Sequence, residues 1–166
     1  MEIRLINQQD NLLAISHVYE ASWKSAYKDI IPQAYLDGIP EGRWVQALNN
    51  PAWNTLIMLD GNKIIGTSSY CASRFADMSG YGEIISIYFL PEYFGKGHGK
   101  LLFQAAVDGL IQLGYTDMFL WVLEANAKAR RFYERFGFAA GNAYLDDDIG
   151  GKKLREIRYI YRGGCK

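Results

Sequence analysis

The feature of this sequence with the most definite structural meaning is a glycine-rich segment past the middle of the chain. It consists of Phe94, Gly95, Lys96, Gly97, His98, Gly99 and Lys100. An apolar, strand-like run precedes it at 84–90, and a helix-like pattern follows it. At such a turn, successive backbone N–H groups can converge on an anion, and glycines let phosphates approach the main chain. The segment is therefore a candidate phosphate-binding turn, and a plain tight turn is the alternative.

The common nucleotide motifs do not fit this segment. A P-loop requires Ser or Thr after its Gly-Lys pair, and Leu101 stands there. A dinucleotide-binding motif requires Gly-x-Gly-x-x-Gly near the first strand of its unit, whereas these glycines are spaced two apart and lie late in the chain. Glycines at that spacing before a helix still suit a pyrophosphate, because the helix dipole adds about 0.3–1 kcal/mol of favourable potential.

The patterns around this segment predict the fold class. Predicted strands cover residues 3–5, 55–59, 63–72, 81–90, 118–123, 138 onward and 154–161, and helices lie between residues 10 and 48, after the glycine-rich turn and from 126 to 137. Asp10 is expected to cap the first helix. This order predicts an α/β (α+β) domain in which helices flank a mixed, mostly antiparallel central sheet. The chain length of 166 residues fits a single domain over 1–166.

Composition excludes several classes of protein. The chain has 18 Lys plus Arg and 18 Asp plus Glu, and this balance argues against a nucleic-acid-binding domain. The two cysteines, Cys71 and Cys165, predict neither a disulfide framework nor a metal site. The start of the chain has no signal-peptide pattern, and no apolar run approaches the roughly 20 residues of a membrane helix. We expect a cytoplasmic protein that binds no membrane.

Two segments resemble motifs of the GNAT acetyltransferase superfamily. In that family, a strand ending in an apolar-x-Pro step precedes Gln/Arg-x-x-Gly-x-Gly/Ala and a helix, and residues 83–102 are similar. Phe94 stands where the family usually has Gln or Arg. Residues 120–138 resemble the second motif, which combines a strand, an Asn, a helix with a Tyr, and Gly-Phe. The two motifs occur in the family's order and at its separation, so the resemblance implies a GNAT-type fold.

The resemblance implies acetyl-CoA as co-substrate, with no metal, and a set of residues that bind it. These are Ile87, Tyr88, Phe89, Phe94, Gly95, Lys96, Gly97, His98, Gly99, Lys100, Asn126 and Tyr133. Asn126 and Tyr133 are seven residues apart and share one helix face. The resemblance makes Tyr133 the general acid at the sulfur and Glu83 the proton acceptor, directly or through water. Glu124 is the rival carboxylate, although a turn role suits it better.

The acceptor implied by the resemblance is a primary amine of a small molecule or peptide. Trp23 and Tyr27 would line its site, and packing within the helical pair is the alternative role for both. A CoA-binding regulatory module with little or no catalytic activity is the alternative function, and a nucleotide-phosphate binder is a third. Family members are often dimers, so a homodimer stays open.

Overall fold

Seven strands form one sheet in the order β1-β2-β3-β4-β5-β7-β6 in a computed structural model that describes residues 1–164. The strands are β1 Glu2–Leu5, β2 Asn54–Asp60, β3 Lys63–Ala72, β4 Gly82–Phe89, β5 Asp117–Leu123, β6 Ala139–Ile149 and β7 Lys152–Arg162. The helices are α1 Leu12–Ala26, α2 Gln33–Asp37, α3 Val45–Leu48, α4 His98–Gln112 and α5 Ala127–Arg135. Cys165, one of the two cysteines considered above, lies outside the described residues.

Every strand pair in the sheet is antiparallel except β4 with β5. The predicted class, a mixed and mostly antiparallel sheet flanked by helices, is therefore confirmed. Helix α4 covers one face with Leu102, Phe103, Ala106 and Leu110, all fully buried. Helix α1 covers the opposite face, where Tyr19 packs against Ile15 and Ile57.

The parallel pairing of β4 with β5 is short. It joins only Gly82 with Met118 and Glu83 with Phe119. Just beyond, the pairing of β3 with β4 shifts register, so Ile85 is an extra residue on β4. A β-bulge of this kind bends its strand and strengthens the local twist. Strands β4 and β5 therefore separate beyond Glu83 and leave a gap in the middle of the sheet.

The first helix is capped by a different residue from the one expected. The Asn11 side chain accepts hydrogen bonds from the N–H groups of Leu13 and Ala14, so the prediction of Asp10 as cap was wrong. Asp10 is held instead by Arg4 of β1, whose Nη1 and Nη2 donate to both carboxylate oxygens at 2.7 and 2.8 Å. The Arg4 guanidinium lowers the pKa of Asp10 by hydrogen bonding to its charged form.

Candidate active site

The gap between β4 and β5 opens into a cleft of about 1580 Å³. Its walls come from α1, β4, the β4–α4 loop, β5, α5 and the β6–β7 pair. Side chains alternate along a strand, so each wall strand presents one set of residues to the α4–α5 side and another to the α1 side. The glycine-rich turn and Tyr133 lie on the first side, and Trp23 and Tyr27 of α1 lie on the second.

The glycine-rich turn presents a row of free backbone donors. Within the described residues, the N–H groups of 95–99 donate no hydrogen bond. Gly95 and Gly97 have φ of +73° and +84°, and a Cβ built on either would meet no atom within 4 Å. Glycine is therefore needed there for its backbone conformation rather than for space. Unsatisfied donors at the start of α4 are the arrangement that binds phosphate groups in proteins.

Cationic side chains surround this turn, and one of them was missed from the sequence. Lys96 lies over the ring of Tyr93 at 5.1 Å, and Lys100 is exposed on the first turn of α4. Lys128 of α5 lies over the ring of Phe94 at 5.6 Å. Phe94 thus stands where the family usually has Gln or Arg, and its ring supports the ammonium group of a neighbouring element instead. His98 begins α4 with its ring 6.0 Å from that of Tyr93.

The gap leaves one edge of β4 without a neighbouring strand. Ile87, Tyr88 and Phe89 pair with β3 on one side, and the β4–β5 pairing ends at Glu83 on the other. The backbone groups of 87–89 that face β5 therefore have no strand partner. An extended chain can bind along such an edge by main-chain hydrogen bonds.

Asn126 and Tyr133 both belong to α5 and both line the cleft. The Asn126 Oδ1 accepts the N–H of Ala129 at 3.1 Å and caps the helix. The Tyr133 ring packs 5.4 Å from those of Phe103 and Phe132. Burial, followed by the neighbouring Tyr88, raises the pKa of Tyr133 far above its ordinary value. Its hydroxyl therefore stays protonated at neutral pH and can donate a proton.

Glu83 lies at the closed end of the gap and is only 1% exposed. Arg74 donates to its carboxylate from Nη2 at 2.6 Å, and from Nε and the backbone N at 3.1 Å each. The ring of Trp53 lies 5.5 Å from the Arg74 guanidinium. Both carboxylate oxygens of Glu83 are therefore already engaged by charge-assisted or backbone hydrogen bonds from Arg74.

The α1 wall of the cleft is aromatic. Trp23 and Tyr27 meet edge to face at 4.9 Å, and Trp44 lies 5.4 Å from Trp23. Burial and the proximity of Tyr88 raise the pKa of Tyr27 well above its ordinary value. Burial likewise raises the pKa of Tyr88 to about 12. Both phenols are therefore uncharged at neutral pH, and the wall offers ring faces and hydroxyl groups.

A second carboxylate, Glu156 of β7, also lines the cleft. Burial, followed by the charge of Asp147, raises the pKa of Glu156. Glu156 was not among the residues expected from the sequence, because its place beside β5 depends on β7 entering the sheet between β5 and β6. Glu124, the rival acid, is exposed, and its carbonyl accepts a hydrogen bond from Arg130, as a turn residue does.

A family model described as the acetyltransferase (GNAT) family matches residues 14–138. The chain belongs to the GNAT acetyltransferase family. This confirms the family and the enzyme class predicted from the two sequence motifs, and the matched range includes both of them. Within residues 1–164, no helix is long and apolar enough to cross a membrane, and no three His, Cys, Asp or Glu residues are grouped as a metal site.

Relatives of this GNAT protein cover most of its length. An uncharacterized N-acetyltransferase of Bacillus subtilis, YuaI, is 27% identical over 153 residues, which are 89% of this chain and 86% of the relative. The ribosomal protein bS18-alanine N-acetyltransferase of Haemophilus influenzae is 29% identical over 64% of this chain and 70% of its own. The crystal structure of PaiA N-acetyltransferase from Thermoplasma acidophilum, in complex with coenzyme A, has the same fold. Its TM-score is 0.72 at 20% identity, over 97% of this chain and all of its own.

Proposed function

We propose that this protein transfers the acetyl group of acetyl-CoA directly to a primary amine of a small molecule or a peptide. One observation carries the proposal: the free N–H groups of 95–99 and the unpaired edge of β4 border the same cleft as Tyr133. Together they supply a site for a pyrophosphate, a site for an extended arm and a proton donor.

The cleft fits the chemical parts of acetyl-CoA, which supplies the activated acetyl thioester. The amides of 95–99, with Lys96, Lys100 and Lys128 around them, would hold the phosphates. The free backbone groups of 87–89 would pair with the amides of the pantetheine arm. Asn126 Oδ1 is used by the helix cap, and its side-chain nitrogen donates to nothing within residues 1–164, so it is available to the same arm.

In this proposal, Tyr133 protonates the leaving sulfur. A buried phenol with a raised pKa holds its proton until a stronger base develops beside it, as a thiolate does during transfer. Glu83 as the proton acceptor stays a prediction, and its three hydrogen bonds from Arg74 argue against it. The solved CoA complex and the relatives named N-acetyltransferases support the co-substrate and the type of acceptor.

A CoA-release assay with amines, amino acids and peptides tests the proposal. At least one amine should accelerate CoA release well above the rate of acetyl-CoA hydrolysis. Tight CoA binding without acceleration by any amine would instead support the regulatory module. Calorimetric titration with CoA, ATP and NAD tests the third function: a nucleotide-phosphate binder should bind ATP or NAD tightly and not CoA, whereas the acetyltransferase and the regulatory module should both bind CoA. The cytoplasmic location and the homodimer stay predictions, and sedimentation of the purified protein tests the latter.

A further inference from the structure

Two glutamates face the cleft, and their surroundings differ. Glu83 is fully buried and accepts three hydrogen bonds from Arg74. Glu156 is partly buried, and no side chain among residues 1–164 donates to it or forms an ion pair with it. A carboxylate removed from water without a partner carries a large desolvation cost. Glu156 is therefore the glutamate of this cleft that can gain most from a cationic ligand.

The strand alternation of β7 places Glu156 on the α1 side of the sheet. Leu154, two residues before it, packs in a cluster with Ile31 and Leu36 of the α1–α2 region. Arg158, two residues after it, lies over the ring of Trp121 and pairs with Asp77 at 2.6 Å. Tyr159 points the other way and accepts a hydrogen bond from Arg130 of α5. Glu156 thus lies on the same side as the aromatic wall of α1.

Among residues 1–164, the charged and titratable groups around Glu156 do not pair with it. Tyr27 of α1 and Tyr88 of β4 are neutral at physiological pH for the reasons given above. Asp147 of β6 is exposed and adds negative potential. Arg158, on β7 itself, is already paired with Asp77. A negative site bounded by aromatic rings favours a small organic cation, since ring faces attract cations as well.

We infer that Glu156 receives the ammonium group of the acceptor and takes its proton, so that the acceptors are primary amines that are cationic in water. This inference rests on the proposed function. One N–H bond of the R–NH₃⁺ group breaks, one O–H bond forms on Glu156, and the neutral amine keeps the electron pair that attacks the acetyl carbon. The C–N bond forms as the C–S bond breaks, Tyr133 gives its proton to the leaving sulfur, and the second N–H bond then breaks and returns a proton to the Tyr133 oxygen. Glu156 afterwards releases this proton to water through the open cleft. Because its raised pKa is closer to neutrality, Glu156 is a better proton acceptor than an ordinary surface glutamate.

Replacing Glu156 by Gln tests the inference, because the change removes the charge and keeps the shape. We expect E156Q to lower kcat/KM for cationic amines by about 10²- to 10⁴-fold. We also expect the wild-type decline at acid pH, which follows protonation of Glu156, to be replaced by a rate that rises with pH up to the pKa of the free amine. Calorimetry on the CoA-loaded protein should show amine affinity reduced by about 10-fold or more, with CoA affinity unchanged. E2Q is the matched control: Glu2 is 64% exposed on β1, the opposite edge of the sheet, and its loss should change none of these quantities.

E83Q decides between the two glutamates. If Glu156 is the proton acceptor, E83Q keeps the decline at acid pH. An E156Q protein with wild-type kcat/KM and pH profile, or an E83Q protein that loses that decline, would overturn the inference. If no amine accelerates CoA release by the wild type, the proposed function fails. Amine binding to the wild type and to E156Q then still shows whether Glu156 is the cation site.

Discussion

Gly97→Ala and Gly114→Ala form a matched pair that tests the phosphate site. Both glycines flank α4, Gly97 before its first residue and Gly114 two residues after its last. Their φ angles are +84° and +92°, and an added Cβ would meet no atom within 4 Å at either position. The substitutions therefore impose the same kind of strain without a steric clash, and Gly97 alone lies in the cleft.

The expected loss of stability is similar for the two variants. An L-residue with a side chain in this left-handed region costs about 1–2 kcal/mol. In a chain of this size, each kcal/mol lowers Tm by about 2–4 °C, so both variants should melt about 2–8 °C below wild type. Thermal unfolding followed by circular dichroism measures this fall, and equal falls establish that the pair is matched.

The two variants should differ in CoA affinity. We expect the strain at Gly97 to shift the free amides of 95–99, because Gly97 lies within this turn and lines the cleft. Losing one hydrogen bond to a charged group costs about 1.5–3 kcal/mol, which raises Kd by about 10- to 150-fold. Calorimetric titration should therefore show weaker CoA binding by G97A and unchanged binding by G114A. Wild-type affinity in a G97A protein that melts like G114A would refute the assignment of this turn to phosphate.

Four further predictions concern three side chains, Tyr133, Arg74 and Cys71. Tyr133→Phe should lower kcat by about 10²-fold or more with the Kd for CoA unchanged, and unchanged turnover would remove Tyr133 from the mechanism. Because its raised pKa keeps the phenol protonated, the wild-type rate should not fall on the alkaline side below about pH 10, and an earlier fall in the pH–rate profile would contradict this. Arg74→Ala should lower the free energy of unfolding in urea by about 3 kcal/mol, since it leaves buried Glu83 unpaired. Adding Glu83→Gln should recover most of that loss, and an R74A protein as stable as wild type would show that the pair contributes little. Burial raises the pKa of Cys71 to about 11, so iodoacetamide at pH 8 should modify this thiol slowly in the folded protein and fast in urea. Peptide mass spectrometry measures the extent of modification at Cys71. Fast modification in the folded protein would contradict the burial of this side chain.

The sequence predicted what depends on local pattern. Apolar runs bounded by turn residues predicted most of the strands, and the glycine spacing at 95–99 indicated a turn whose amides can bind an anion. The seven-residue interval from Asn126 to Tyr133 placed both on one helix face. In each case the residues that decide the structure are neighbours in the chain.

The features that escaped prediction depend on residues that are distant in the chain or joined by topology. Asp10 and Asn11 are both good caps, and Asp10 is withdrawn from that role by Arg4 on β1. The pairing of Glu83 with Arg74 depends on the loop that brings the end of β3 back to β4. Glu156 reaches the cleft because β7 inserts between β5 and β6, which hydrophobic periodicity does not reveal.

The two-residue seam between β4 and β5 divides the sheet into two units, β1–β4 and β5–β7. Beyond these two residue pairs, no hydrogen bonds join β4 to β5 among the described residues, so the two strands should open toward the cleft at lower free energy than the strands around them, and their amides should exchange with deuterium sooner. A ligand arm that bonds to the free edge of β4 adds hydrogen bonds at that place. Ligand binding at the cleft should therefore stabilise the middle of the sheet against local opening, and hydrogen–deuterium exchange of backbone amides should slow most at 84–89 and 120–123.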